Sequence, residues 1–249
     1  MPTALITGAT AGLGAAFARR LAADGFSLVL VARDDKRLDA TARTLHRRYG
    51  VRADALAADL SGEKGVAAVE ERLGEGVDLL VNNAGFAHSG AALEVPVAEE
   101  VTMLRVHCEA MLRLTLAALP GIRARGRGGV INVASVAAFI ADSTYSASKA
   151  WVVNFSAGLA AKVPEPRVHV MALCPGFVRT EFHERASIDT SGIPDFLWLS
   201  ADRVVDAAMR DFARGVTVSV PDARYKAISA IARHVPLGVI DRVSSLIGR

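Results

Sequence analysis

The chain has 249 residues, 51% of them apolar and 22% charged, with a formal net charge of +3. That is enough apolar side chain for a large core and excludes a disordered chain, and the length fits a single α/β domain over 1–249. The small positive excess is scattered among acidic residues rather than gathered into a basic tract, which argues against nucleic acid as a partner.

Short runs rich in Val, Leu and Ile alternate with longer Ala-rich stretches of helical period, the pattern of strands buried on both faces between helices. In chain order it predicts a strand over 4–7, a helix over 13–23, a strand over 27–31, a helix over 37–49, a strand over 52–57 and a helix over 65–72. A strand over 79–81, a helix over 99–119, a strand over 129–133, a helix over 144–162, a strand over 169–173, a helix over 201–214 and a strand over 216–220 complete it. Parallel strands need such helical crossovers, so the expected fold is a doubly wound α/β sheet of about seven parallel strands with helices on both faces. Cys108 and Cys174 lack the spacings of a metal site or a disulfide framework, so no metal is expected and a reducing cytoplasm fits. With no run of about 18 apolar residues and no basic-then-apolar N-terminus, neither a bilayer span nor a signal peptide is expected.

Thr7-Gly8-Ala9-Thr10-Ala11-Gly12-Leu13-Gly14 joins the first strand to the first helix. Glycines there let the backbone turn tightly and approach a pyrophosphate, whose charge the helix N-terminus meets. The spacing is Gly-x3-Gly-x-Gly rather than the commoner Gly-x-Gly-x2-Gly, and a tight turn with packing glycines would look similar. The second strand ends Ala32-Arg33, without a carboxylate at Ala32 to grip the ribose hydroxyls of NAD(H). A guanidinium at Arg33 suits a ribose 2′-phosphate, which predicts NADP(H) over NAD(H), although Asp34 and Asp35 follow and could reach back. Asp59-Leu60 is placed either to accept from an adenine amino group or to cap the next helix, and Asn82-Asn83-Ala84-Gly85 offers amides and a flexible backbone beneath a dinucleotide.

Tyr145-Ser146-Ala147-Ser148-Lys149 opens a helix and puts Tyr145 and Lys149 on one face. A nearby ammonium stabilises phenolate and is expected to lower the Tyr145 pKa toward working pH, so that the phenol exchanges a proton with an alcohol or carbonyl oxygen. Ser135, at the end of the fifth strand, would bond the same oxygen; Ser143 is the alternative hydroxyl, off the strand end. None of these groups donates hydride, which requires a cofactor such as nicotinamide.

The glycine loop, Asp59, the Asn82 turn, Ser135, Tyr145, Lys149 and then Pro175-Gly176-Phe177-Val178-Arg179-Thr180 fall successively at strand ends along one sheet edge. In that succession the chain resembles the short-chain dehydrogenase/reductase family, in its ordinary single-domain form, over nearly its whole length. The resemblance implies a Rossmann-type fold and a nicotinamide-dependent oxidoreductase acting between CH–OH and C=O, for which Arg33 makes NADP(H) the expected cofactor and leaves NAD(H) possible. It implies that Gly8, Thr10, Gly12, Leu13, Gly14, Arg33, Asp59, Leu60, Asn82, Ala84 and Gly85 bind the cofactor together with Tyr145, Lys149, Pro175, Gly176, Val178 and Thr180. Thr180 would close over the nicotinamide carboxamide. Ser135 would orient the substrate oxygen, Tyr145 act as acid or base, and Lys149 also hold the nicotinamide ribose. Two departures stand out. His107 occupies the helix position usually held by a catalytic Asn, which acts largely through its backbone carbonyl; the ring either relays protons or is a tolerated core histidine. The interval from Ser135 to Tyr145 is also slightly shorter than usual.

Residues 181–199 place Phe182, Ile193, Phe196, Leu197 and Trp198 among polar residues and read as a mobile lid, suited to a substrate with hydrophobic bulk. His88 and Ser89 read as ordinary loop residues near the substrate. Residues 225–249 form an amphipathic basic segment for which packing or self-association ranks above membrane contact, and a homodimer or homotetramer is expected. The alternative to an oxidoreductase is a dinucleotide-binding regulator with impaired catalysis, suggested by His107 and the short Ser–Tyr interval. A nucleotide-sugar epimerase or dehydratase would need a separate substrate domain for which the chain has little room.

Overall fold

The structure, a computed structural model, describes residues 1–89 and 93–232. Strands β1 (Thr3–Thr7), β2 (Ser27–Ala32), β3 (Ala53–Ala57), β4 (Leu79–Asn82), β5 (Gly128–Val133), β6 (Val168–Leu173) and β7 (Val218–Ser219) form one sheet in the order β3-β2-β1-β4-β5-β6-β7. Every pairing is parallel. The crossovers are α1 (Gly12–Ala23), α2 (Asp35–Tyr49), α3 (Glu63–Gly74), α4 (Val97–Leu104), α5 (Met111–Arg125), α6 (Thr144–Ala160), a short α7 (Phe182–Arg185) and α8 (Ala201–Ala213), followed by α9 (Ala223–Ala232). The strand order reverses between β1 and β4, which opens a crevice at the carboxyl ends of the strands where such sheets receive ligands.

Alternation along each strand divides the core in two. Ile6, Leu28 and Leu30 pack with Phe17 and Leu21 of α1, Leu38 of α2 and Val204, Val205 and Phe212 of α8 on one face. Leu5, Val29 and Val31 pack with Val66 and Val69 of α3 and Leu114 and Ile122 of α5 on the other. A fully buried polar chain crosses the centre: Asn82 Nδ2 donates to Thr115 Oγ1 at 3.0 Å and to Asn132 Oδ1 at 2.9 Å, and Asn132 Nδ2 donates to Ser156 Oγ at 3.0 Å. With its partners matched, the chain fixes the register of β4 and β5 against α5 and α6.

Several boundaries differ from the sequence expectation. The fourth crossover continues to Arg125, past the expected end at Leu119 and through Pro120. Pro120 lacks an N–H and disfavours a helix interior by about 3 kcal/mol, but Ala118, Leu119 and Ile122 are buried and together offset that. Residues Arg105–Ala110 of the same crossover form a π-helical turn, a rare geometry concentrated at functional sites. β7 is only two residues long. Of the amphipathic segment 225–249, residues 225–232 lie in α9 and the rest fall outside the described residues. Among the described residues no helix is long and apolar enough to cross a membrane.

Candidate active site

The glycine loop is braced from below by the turn after β4. The Thr7 hydroxyl accepts from the Asn83 and Ala84 N–H groups, both at 2.9 Å, while Asn83 Nδ2 donates to the Thr7 carbonyl at 2.9 Å and the Gly8 carbonyl at 3.3 Å. Gly8 has φ +66, and a Cβ there would stand 2.8 Å from Asn83 Nδ2. A Cβ on Gly14 would strike the Gly8 carbonyl. α1 begins after Ala11, which has no side-chain acceptor for the first N–H groups of the helix. These donors, with a backbone that must stay bare of Cβ atoms, fit a pyrophosphate. Thr180 stands over the same loop, its methyl 3.2 Å from where a Cβ of Gly12 would lie.

The Asn turn differs from the sequence picture of amides aimed at a dinucleotide. The Asn82 amide is committed to the core and the Asn83 amide to the glycine loop, so the side of the turn facing a cofactor is backbone, at Ala84 and Gly85. At the far end of the crevice Arg33 is exposed, and its charge contributes to holding Asp59 below the usual carboxylate range. The larger cause is Ser61, whose N–H and hydroxyl donate to Asp59 Oδ1 at 3.0 and 2.8 Å. Asp59 therefore closes a turn rather than capping α3, whose N-cap is Gly62. Asp34 is the N-cap of α2, with Oδ1 accepting from the Arg37 N–H at 3.0 Å. Arg37, unremarked in the sequence, reaches the Thr10 carbonyl at 3.4 Å and Glu181 at 3.3 Å, joining glycine loop and lid.

Ser135 follows β5 as the cap of a 3-10 turn and accepts the Ala137 N–H at 3.1 Å, and its hydroxyl favours the ionised form of the Tyr145 phenol. Ser143 is the N-cap of α6, accepting from the Ser146 N–H at 3.3 Å, so the capping hydroxyl and the strand-end hydroxyl have separate places. The Val136 N–H donates to the Pro175 carbonyl at 3.0 Å and ties the Ser135 turn to the loop after β6. Lys149 is 4% exposed; its Nζ donates to the Val133 carbonyl at 3.2 Å and lies 5.5 Å from the centre of the Tyr145 ring. Burial pushes the Lys149 ammonium down to about 8. Burial also pushes Tyr145 up to about 12, with the Ser135 hydrogen bond opposing it. This corrects the expectation of a phenol lowered by its lysine, because desolvation of the phenolate dominates in the buried pocket.

His107, on the π turn, is fully buried, with its ring 5.7 Å from that of Tyr145 in an edge-to-face arrangement. Its Nε2 accepts from the Phe86 N–H at 3.2 Å and its Nδ1 lies 2.9 Å from Ser148 Oγ. Burial holds the imidazole well below its ordinary pKa, assisted by the charge of Lys149.

The lid is fastened at its base. Val178 forms a parallel bridge with Leu199, and Leu199 N–H donates to the Phe177 carbonyl at 2.8 Å. Tyr225 of α9 pins both sides: its hydroxyl donates to the Leu197 carbonyl at 2.8 Å and accepts from the Phe177 N–H at 3.1 Å, and its ring fills the space a Cβ on Gly176 would need. Above the base Phe177, His183 and Trp198 form an aromatic cluster, and Phe182 joins it to the Tyr145 ring at 6.1 Å. His88 is held by Glu99, through its backbone carbonyl at 3.3 Å and its carboxylate at 3.4 Å.

Sequence reasoning passed over Tyr225, Arg37, Phe86 and Ser148. Ser148 stands inside the Tyr145–Lys149 motif, three residues after the tyrosine, and could have been noticed there; no spacing announces Tyr225.

Residues 2–190 match the model of the short chain dehydrogenase family. The chain belongs to that family. A short-chain dehydrogenase from Sphingobium yanoikuyae, solved in complex with NADPH, is 38% identical with a TM-score of 0.85, the match covering 93% of each chain. The bulky-bulky ketone specific alcohol dehydrogenase from Comamonas testosteroni is 32% identical with a TM-score of 0.80 over 95% of each chain. The granaticin polyketide synthase putative ketoacyl reductase 1 of Streptomyces violaceoruber is 34% identical over 98% of this chain and 89% of its own. The chain is thus an oxidoreductase of the short-chain dehydrogenase family, acting between C=O and CH–OH, and a nicotinamide dinucleotide is its cofactor class.

Proposed function

We propose that the chain is an NADP(H)-dependent reductase of ketones carrying hydrophobic bulk, working as one catalytic domain over 1–249 with Tyr145 as the proton donor. The observation that carries this reading is the meeting of Ser135, Tyr145 and Lys149 at the sheet edge that holds the uncapped glycine loop. A nicotinamide bound there supplies the hydride, which no side chain of the site does. Gly8, Thr10, Gly12, Leu13 and Gly14 would hold the pyrophosphate, and Arg33, Asp59 and Leu60 the adenosine end. Backbone at Asn82, Ala84 and Gly85 would lie beneath the dinucleotide, with Pro175, Gly176, Val178 and Thr180 around the nicotinamide.

Ser135 bonds the substrate oxygen, and Tyr145 gives it a proton while Lys149 stabilises the charge left on the phenol. Burial keeps Tyr145 protonated at neutral pH, and a phenol is a stronger acid than the alcohol being formed, so it can supply the proton that reduction of a ketone requires. The NADPH bound to the Sphingobium relative and the exposed Arg33 support NADP(H). The ketone named for the Comamonas relative and the aromatic lid beside Tyr145 support a bulky substrate. Val97, Val101 and Leu104 leave an exposed apolar stripe on α4 that a second copy would cover, which supports a homo-oligomer, and a cytoplasmic setting completes the reading.

Purified protein supplied with NADPH and ketones bearing two bulky substituents is expected to oxidise NADPH. Tyr145→Phe should lower kcat/KM about a thousandfold while leaving NADPH binding intact. Arg33→Ala should weaken NADPH binding about tenfold to a hundredfold and leave NADH binding unchanged. Tight NADPH binding without turnover of any ketone or alcohol would instead make the chain a dinucleotide-binding regulator.

A further inference from the structure

We propose that His107 and Ser148 form a positioning pair that clamps the first turn of α6, and with it Tyr145, to the turn after β4, and that the His107 ring never carries a proton for the reaction. The proposal rests on Tyr145 being the proton donor. Its core is the polarity of one hydrogen-bond chain. The Phe86 N–H can only donate, and it meets His107 Nε2 at 3.2 Å, so Nε2 presents its lone pair. A neutral ring then carries its proton on Nδ1 and donates it to Ser148 Oγ at 2.9 Å. The Ser148 hydroxyl in turn donates a hydrogen bond to the Tyr145 carbonyl at 2.7 Å. The chain starts at an amide N–H and stops at an amide carbonyl. Neither end releases or accepts a proton at any working pH, so the chain orients groups and conducts nothing.

Packing makes the same pair a clamp. The His107 ring fills the space beside Gly85, where a Cβ would stand 2.8 Å from Nε2, and presents its edge to the Tyr145 ring. His107 therefore touches the tyrosine twice, at its ring directly and at its backbone through Ser148. The other groups facing the ring are Lys149 from α6 and His88 from the loop after β4; a positive charge on either opposes a second proton on His107. Protonation would also break the Phe86 bond, because it turns Nε2 from acceptor to donor.

The test reads the tautomer and the kinetics separately. In full-length protein with 15N-labelled histidine, the His107 signals are assigned by their loss in His107→Gln. They are expected to show a neutral ring protonated on Nδ1 and unchanged between about pH 5 and pH 9. Ser148→Ala should lower kcat about tenfold to a hundredfold with NADPH affinity and the shape of the pH profile unchanged, and Ser148→Thr, which keeps the hydroxyl, should restore most of the rate. A ring protonated on Nε2, a titration of His107 that coincides with a limb of the kcat profile, or an unchanged kcat in Ser148→Ala overturns the proposal. The NMR reading needs no turnover, so an inactive chain with the expected tautomer would sink the reductase reading and leave the clamp standing.

Discussion

The first turn of α6 and the lid above it face the same Tyr145 ring and are held in opposite ways. Below, Ser148, Lys149 and His107 are almost wholly buried, and their polar atoms are matched by partners on the turn after β4, on β5 and within α6 itself. Above, Phe177, Phe182, His183 and Trp198 keep part of their surface in water and touch one another in tilted or edge-to-face pairs, while the tethers gather at the base. Proton transfer demands a geometry kept to within about half an ångström, which only packing on all sides secures. Accepting substrates of differing bulk demands the reverse, a wall with few attachments. The division of labour is therefore one between over-determined and under-determined structure.

Lys149 tests the lower region hardest. Burial sets its pKa at about 8, so between about pH 8 and pH 10.5 the folded chain binds fewer protons than the unfolded one, and stability rises with pH across that window. Below about pH 8 the full cost of burying the ammonium is present. Lys149→Met should thus lower the rate about a thousandfold yet raise stability at pH 7 by about 2 kcal/mol, or a few degrees in Tm. The gain should shrink as pH approaches 10. In the wild type, reduction should weaken above about pH 8, as the ammonium loses its charge. Thermal melts of both proteins across that range check the sign, and a less stable Met variant at pH 7 would contradict the picture of a site held against its own stability.

Tyr225 tests the fastening between the two regions. Tyr225→Phe keeps the ring against Gly176 but deletes the hydroxyl that joins Phe177 to Leu197. With a buried N–H and carbonyl left unmatched, stability should fall by about 1–3 kcal/mol, and KM for a bulky ketone should rise severalfold with kcat nearly unchanged. A fall in kcat equal to the change in kcat/KM would mean that the lid base also shapes the proton-transfer geometry.

How far this division was legible in the sequence follows from how local each feature is. The strands were readable because Val, Leu and Ile runs report burial on both faces, and the order of motifs at strand ends placed Ser135, Tyr145 and Lys149 along one edge. The Asn82 amide was misread because its direction depends on Thr115 and Asn132, partners more than thirty residues away. The raised Tyr145 pKa was likewise invisible: a four-residue spacing shows that a lysine is near but not how dry the pocket is. The π turn that carries His107 inward has no periodicity signal that distinguishes it from the α-helix around it. Side-chain directions set by contacts distant in sequence stayed hidden, and so did the one local feature, the π turn, that leaves no periodic trace.

Phe182 supplies the mildest test and addresses the lid alone. Its ring bridges Tyr145 to the His183 and Trp198 cluster, and it stands on the four-residue α7, outside the core. Phe182→Ala removes apolar wall without leaving a buried polar group unmatched, so Tm should move by no more than about a degree or two. For a ketone with two bulky substituents, KM should rise about threefold to tenfold, because about 1 kcal/mol of apolar contact is lost equally from ground state and transition state. For a small ketone that never reaches the lid, both constants should stay at their wild-type values. If the small ketone suffers as much as the bulky one, Phe182 acts by holding the Tyr145 ring in place, and the lid then belongs to the over-determined half of the site.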